Sequence, residues 1–177
     1  MKSNNMSVLF YNIASIPSNL EKFIINEIPL CAHSLQIMCF CETRLSNDIE
    51  HLYTLEGYRQ LTNNRNHYGG GVCIYINNKI RCHRLQDLCL MSDYIESLFI
   101  SIVFAIKSVV FGVINRRPNS NLTTFISILD KLLSNISQTG KPCIIMGDFN
   151  INILSPLEIT IAKHILTFLL VLDTSRV

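Results

Sequence analysis

The sequence predicts one α/β domain built on a mixed sheet. Short apolar runs of strand length alternate with amphipathic stretches at helical spacing. The middle of the chain is rich in strand-like segments, which argues against a purely parallel sheet. Its 177 residues, 49% hydrophobic and only 16% charged, suit a single domain with a buried core. No internal repeat, low-complexity tract or linker divides it.

Met6 to Tyr11 (MSVLFY) reads as a short buried strand that ends at Asn12. Pro17 suits the first turn of a helix, with Ile16 or Ser15 just outside it. Leu20, Phe23, Ile24 and Ile28 continue that helix as an apolar stripe before Pro29. Leu35 to Cys41 (LQIMCFC) is a second strand, stopping abruptly at Glu42-Thr43. A polar loop, Gly57-Tyr58 and a donor-rich loop from Asn63 to His67 lead to Gly69-Gly70-Gly71. Val72 to Ile76 (VCIYI) is the next strand, closed by the turn residues Asn77-Asn78.

Leu98 to Ile114 is nearly long enough to span a bilayer, but Lys107 stands at its middle. A lysine at that depth costs roughly 2.5–3.5 kcal/mol. The segment is also rich in Ile, Val and Phe, so a hairpin of buried strands over residues 95 to 114, breaking at Lys107-Ser108, is predicted instead. Asn121 is placed to cap a helix whose apolar positions are Phe125, Ile128, Leu129, Leu132 and Leu133. Lys141-Pro142 opens a last strand, CIIM, which runs into Gly147-Asp148-Phe149-Asn150. Leu157 to Leu172 reads as an apolar helix.

The formal charge of +2 and pI of about 8.2 permit a nucleic-acid partner without arguing for one. Seven cysteines include no C-x-x-C pair and sit largely in apolar runs, so neither a disulfide framework nor a zinc site is expected. Buried free thiols in a reducing compartment fit better, and the start, MKSNNMSVLF, lacks a long apolar signal region. An intracellular protein is the expectation. The five histidines share no metal-ligand spacing.

Chemistry-bearing residues fall where apolar strands end: Asn12 after VLFY, Glu42 after MCFC, and Asp148 with Asn150 after CIIMG. Rigid strands deliver side chains to such positions in α/β sheets. Glu42 and Asp148 together would form an oxygen-rich site for a hard cation such as Mg²⁺. If the segment stays extended, Asp148 and Asn150 face one side while Phe149 anchors the core. Plainer readings exist for each: Glu42 as a loop carboxylate, Asp148 as a turn residue, Asn12 as a local cap.

In order and spacing, the stretches FYNIASI, MCFCETRL, GYRQLTNNRNHYGGGVCIYI, IESLFISI, GVINRRPNS and IIMGDFNINIL resemble the endonuclease/exonuclease/phosphatase superfamily. Within it they resemble the endonuclease domain of LINE-type (non-LTR) retrotransposons. The resemblance implies a two-sheet mixed α/β sandwich with its active site at the sheet ends. It also implies a Mg²⁺-dependent (or Mn²⁺-dependent) DNA endonuclease whose nick primes reverse transcription, with a downstream reverse transcriptase in the parent element and a nuclear location. Carried over by position, Glu42 binds the metal, Asn12 supports it, Asp148 orients or deprotonates the attacking water, and Asn150 holds a phosphate oxygen. Asn119, Arg116 and Arg117 would contact the substrate, and Lys79, Arg81 and Arg84 add positive charge in nearby loops.

Two departures stand out. The family's Tyr-Arg-Pro-Pro-Asn is Asn115-Arg116-Arg117-Pro118-Asn119 here, so an asparagine replaces the tyrosine. The family's closing Ser-Asp-His is absent from the sequence, which makes residues 1–177 a single, incomplete domain lacking the last strands and predicts impaired activity. The alternative reading is an inactive retrotransposon remnant with at most weak nucleic-acid binding. A third is a phosphatase acting on a small phosphorylated substrate.

Overall fold

The computed structural model describes residues 6–30, 35–104 and 107–152. They form two four-stranded sheets packed face to face. The first comprises β1 (Val8–Asn12), β2 (Ile37–Cys41), β3 (Tyr58–Asn63) and β4 (Val72–Asn77), in the order β1-β2-β4-β3. The second comprises β5 (Cys82–Arg84), β6 (Ile95–Phe104), β7 (Lys107–Arg116) and β8 (Cys143–Asp148), in sequence order. Each sheet is mixed, with β1 parallel to β2, β7 parallel to β8 and the other neighbours antiparallel.

The continuous apolar runs are explained by burial on both faces. In β2, Ile37, Cys39 and Cys41 face the opposite sheet, while Met38 and Phe40 face the layer of helix α1 (Ile16–Asn26). β4 divides in the same way: Val72, Ile74 and Ile76 point to the inter-sheet core, and Cys73 and Tyr75 point to the α1 side. Leu98, Ile100, Ile102, Phe111 and Val113 supply the other half of the inter-sheet core. Helix α2 (Leu122–Gln138) covers the outer face of the second sheet with Phe125, Leu129, Leu132, Leu133 and Ile136. The result is a four-layer α/β/β/α sandwich. Each fully buried Ile, Leu or Phe stabilises it by roughly 1.5–3 kcal/mol relative to exposure.

Both helices start at the residues their sequence marks. The Ser15 hydroxyl accepts from the Ser18 N–H with Pro17 in the first turn, and Asn121 Oδ1 accepts from the Thr124 N–H at 2.9 Å. The hairpin forms, but its strands pair Ile95 with Arg116 through to Phe104 with Lys107. The connection therefore falls at residues 105–106, outside the described residues, and Lys107 opens β7 rather than breaking the chain. Two strands escaped the sequence reading. β3 (YRQLTN) is polar and mostly half-buried, and β5 is only three residues long. Neither presents a clean alternation. The helix expected from Leu157 to Leu172 also lies outside the described residues.

The described cysteines are free thiols, with Cys39, Cys41 and Cys73 buried. Among the described residues no helix is long and apolar enough to cross a membrane.

Candidate active site at one end of the sandwich

The inward-facing rows of several strands are apolar along their length and turn polar at one end. On β1 the row runs Val8, Phe10, Asn12, and on β7 it runs Phe111, Val113, Asn115. On β6, read backwards, it runs Ile102, Ile100, Leu98, Glu96, and on β8 Met146 is followed by Asp148. Strand direction brings all four polar ends together. β6 runs antiparallel to β7, so its start meets the end of β7. β8 runs parallel to β7, so Asp148 lies opposite Asn115. Glu42 follows β2, and Gly70-Gly71 precede β4, at the same end of the first sheet.

The side chains interlock. Asn12 Nδ2 donates to Asp148 Oδ2 at 3.1 Å, and Asn12 Oδ1 accepts from the Ala14 N–H. Glu42 Oε2 accepts from the Gly70 N–H at 3.0 Å, and Glu42 Oε1 accepts from Asn115 Nδ2 at 3.1 Å. The same Asn115 nitrogen donates to Glu96 Oε2 at 2.9 Å, an oxygen that also accepts from the Gly71 N–H at 2.8 Å. Arg65 closes the group with an ion pair to Glu96 Oε1 at 3.0 Å.

The electrostatics follow from burial. Glu96 has a side chain of 0% exposure, and desolvation raises its pKa against the lowering effects of Asn115, Arg65 and the Gly71 N–H. The Cys41 thiol is pushed far up, chiefly by burial and then by the nearby Asp148, Glu42 and Glu96 carboxylates. Three carboxylates thus converge around one buried thiol. Arg65 offsets Glu96, whereas neither Glu42 nor Asp148 has an ion-pair partner among the described residues.

Backbone strain gathers at the same place. Ala14, Glu42 and Asn150 adopt left-handed φ values of 54°, 54° and 47°. Such conformations are uncommon for non-glycine residues and cluster at functional sites.

This conformation corrects one expectation. β8 ends at Asp148, so Asp148 and Asn150 do not continue as one extended segment. The chain turns instead: the Asn150 N–H donates to Asp148 Oδ1 at 3.0 Å, and Asn150 Nδ2 donates to the Arg116 carbonyl at 2.7 Å. Phe149 does anchor the core, edge-on to Phe125. Arg116, expected to face substrate, is turned inward at 6% exposure. Its guanidinium donates to the carbonyls of Asn150 and Ser120, and more weakly to Phe149. Arg117 and Asn119 are exposed and line an open cavity of about 400 Å³ with Asp93, Tyr94, Pro118 and Ser120. Arg117 also pairs with Asp93 at 2.6 Å. Arg84 is drawn across the sandwich to the Thr62 carbonyl at 2.8 Å.

Sequence reasoning passed over Glu96, Arg65 and the structural part of Asn115. A signal existed, because Glu96 is a carboxylate inside an otherwise buried strand, IESLFISI. Such a residue demands a partner.

The sequence pattern of the Endonuclease/Exonuclease/phosphatase family matches residues 9–157, most of the chain. The protein belongs to this family. Among solved structures, the endonuclease domain of TRAS1, a telomere-specific non-LTR retrotransposon, is similar with a TM-score of 0.57 at 12% identity. That match covers 84% of this chain and 60% of the TRAS1 domain, so the chain spans less than two thirds of it. The human Nocturnin catalytic domain gives a TM-score of 0.59 at 18% identity, over 90% of this chain and 67% of that one. A mannosyl-6-phosphatase from Bacteroides thetaiotaomicron gives 0.60 at 12% identity, over 90% and 71%. These identities establish a shared fold. No curated protein matches the sequence.

As an endonuclease/exonuclease/phosphatase fold, the site can be tested for a divalent cation. No group of three or more His, Cys, Asp and Glu side chains forms a cage among the described residues. Mg²⁺ does not require one, since it is usually held by one or two carboxylates and keeps several waters. Glu42, which has no ion-pair partner among the described residues, and the amide oxygen of Asn12 fit that chemistry as oxygen donors, with the Asp148 carboxylate beside Asn12.

Proposed function

We propose that this chain is a Mg²⁺- or Mn²⁺-dependent DNA endonuclease of the non-LTR retrotransposon type, nicking DNA in the nucleus so that the new 3′-hydroxyl primes a reverse transcriptase of the parent element. The observation that carries this reading is the pair Glu42 and Asp148. Opposite sheets deliver these carboxylates to one end of the sandwich, with no cation beside either among the described residues. Two further facts support it. Members of the family generally use divalent metal ions, and the fold is shared with the TRAS1 endonuclease domain and with a D. rerio TDP2 complexed with single-strand DNA product.

In this reading Glu42 and Asn12 hold the cation. When bound, it supplies charge neutralisation at the phosphate and the leaving oxygen. Asp148 has its oxygens fixed by Asn12 and the Asn150 N–H, and it orients the attacking water and takes its proton. Asn150 keeps one amide N–H beyond its bond to Arg116 for a phosphate oxygen. Asn119 and Arg117 contact flanking phosphates from their open cavity. Arg116 does not reach substrate; it braces the loop that carries Asn150.

The test is nicking of supercoiled plasmid by the 177-residue chain with Mg²⁺, beside Glu42→Ala and Asp148→Ala. Nicking lost in both variants and on chelation is the expected result. The assay runs to long times so that slow nicking is scored. No nicking above the variants, from folded protein, would replace this reading with the inactive remnant. Phosphate release from a phosphorylated sugar without nicking would favour the phosphatase instead.

A further inference from the structure

We propose that Glu96 is a positioning residue for the site. Acting through Asn115 and the Gly70-Gly71 segment, it fixes both oxygens of Glu42 in the orientation that receives a divalent cation. The inference rests on the reading of Glu42 as the cation-holding carboxylate.

The geometry is specific. Glu96 and Asn115 are directly opposed on β6 and β7, both on the inward face, where they form the last pair of an otherwise apolar row. At that position a carboxylate meets no water: its Oε2 accepts from the Gly71 N–H and Asn115 Nδ2, and its Oε1 lies 3.0 Å from Arg65 Nη1 in an ion pair without a hydrogen bond. Two of those contacts lead onward to Glu42. Asn115 Nδ2 bridges Glu96 Oε2 and Glu42 Oε1, and Gly70, beside Gly71, donates its N–H to Glu42 Oε2. Each Glu42 oxygen is thus held by a group that Glu96 itself holds or neighbours.

The cost of this arrangement shows that it is specified. Asn115 turns its nitrogen toward the two carboxylates and leaves Oδ1 buried without a hydrogen-bond partner. Gly70 and Gly71 adopt φ values of 72° and 85°. A Cβ at Gly70 would collide with Glu96 Oε1 and come within 2.8 Å of Arg65 Cζ, so only glycine admits both the turn and the buried ion pair. Glu42 itself stands at a left-handed φ of 54°, a conformation that persists only when its surroundings over-determine it. Glu96 is the common anchor of those surroundings. It need not touch substrate or cation to act, because groups that orient ligands set affinity nearly as strongly as the ligands themselves.

The test measures Mn²⁺ binding to the whole chain by electron paramagnetic resonance, with no nucleic acid and no turnover, beside metal-free thermal melting. Wild type should bind Mn²⁺ and Glu42→Ala should lose it. Glu96→Gln should weaken binding about 10–100-fold and broaden the bound-Mn²⁺ spectrum, with a cooperative melt retained. The double variant Glu96→Gln/Asn115→Ala should lose less than the sum of the two single losses, since Asn115 is one of the two routes by which Glu96 acts. If Glu96→Gln does not fold, Glu96→Asp decides, because it keeps the charge beside Arg65 and shortens the reach to Asn115 and the Gly71 N–H. Wild-type affinity in either folded variant, with Glu42→Ala inactive in binding, overturns the role of Glu96 alone. Equal binding by wild type and Glu42→Ala overturns the cation reading beneath it.

Discussion

Asn12 and Asp148 are 136 residues apart in sequence, yet Asn12 Nδ2 donates to Asp148 Oδ2 at 3.1 Å. The bond joins the edge strand of one sheet to the edge strand of the other, β1 to β8, and closes the sandwich at its polar end. Asn12 is exposed, so this contact orients a carboxylate more than it stabilises the fold. Asn12→Ala should shift stability by no more than about 1 kcal/mol while lowering nicking about 10–100-fold. Denaturant melts and plasmid nicking on one preparation check both. A large loss of stability would make Asn12 structural.

The two adjacent arginines should separate cleanly. Arg116 is buried and its Nη1 and Nη2 donate to backbone carbonyls. Arg116→Ala strands those carbonyls and should destabilise by about 2–4 kcal/mol. Arg117 forms an exposed pair with Asp93, so Arg117→Ala should change stability by less than about 1 kcal/mol. On DNA the order reverses: Arg117→Ala should reduce the salt dependence of binding by about one counterion. Urea melts and a salt titration of DNA binding give both readings.

Gly71 tolerates no side chain. Its φ is 85°, and a Cβ there would lie 2.5 Å from Thr43 Oγ1. Gly71→Ala should cost more than about 1 kcal/mol through strain and displacement, and it should also disturb the N–H that binds Glu96. Gly57 shares the positive φ but has open space around it, so Gly57→Ala should cost less. Thermal melts of the two variants side by side test the contrast.

Glu96 makes stability depend on pH. Burial raises its folded pKa above the ordinary 4.5, so the folded chain holds this proton more tightly than the unfolded chain. The associated stability is fully present below the unfolded pKa and is lost as pH rises through the raised folded value. Wild type should therefore lose this contribution as pH rises from about 4.5, and Glu96→Gln should remove that component of the slope. Denaturation midpoints between mildly acidic and neutral pH check it; an unchanged slope in the variant would contradict the assignment.

Much of the architecture was legible because local rules agree with the fold. Strands buried on both faces need continuous apolar runs, as in IMCFC and VCIYI, and both helices carry their caps at Ser15 and Asn121. Asn12, Glu42 and Asp148 could be picked out because each ends such a run, and a polar residue there needs a reason. β3 was missed because it is polar and mostly half-buried, and β5 because three residues are too few to show a period.

Only the tertiary structure decided how the polar ends combine. Asn115 looked like a lost tyrosine, but it lies between Glu42 and Glu96, 73 and 19 residues away, and shares one amide nitrogen between them. Arg116 looked like a substrate contact, but the turn after Asp148 places backbone carbonyls where its guanidinium can bind them. By itself the sequence determined the apolar strands, the helix starts and the residues at the strand ends, because period and capping act over a few positions. Which carboxylate is buried, and which donors compensate it, depends on two sheets meeting face to face. That juxtaposition arises from packing between segments that are distant in the chain.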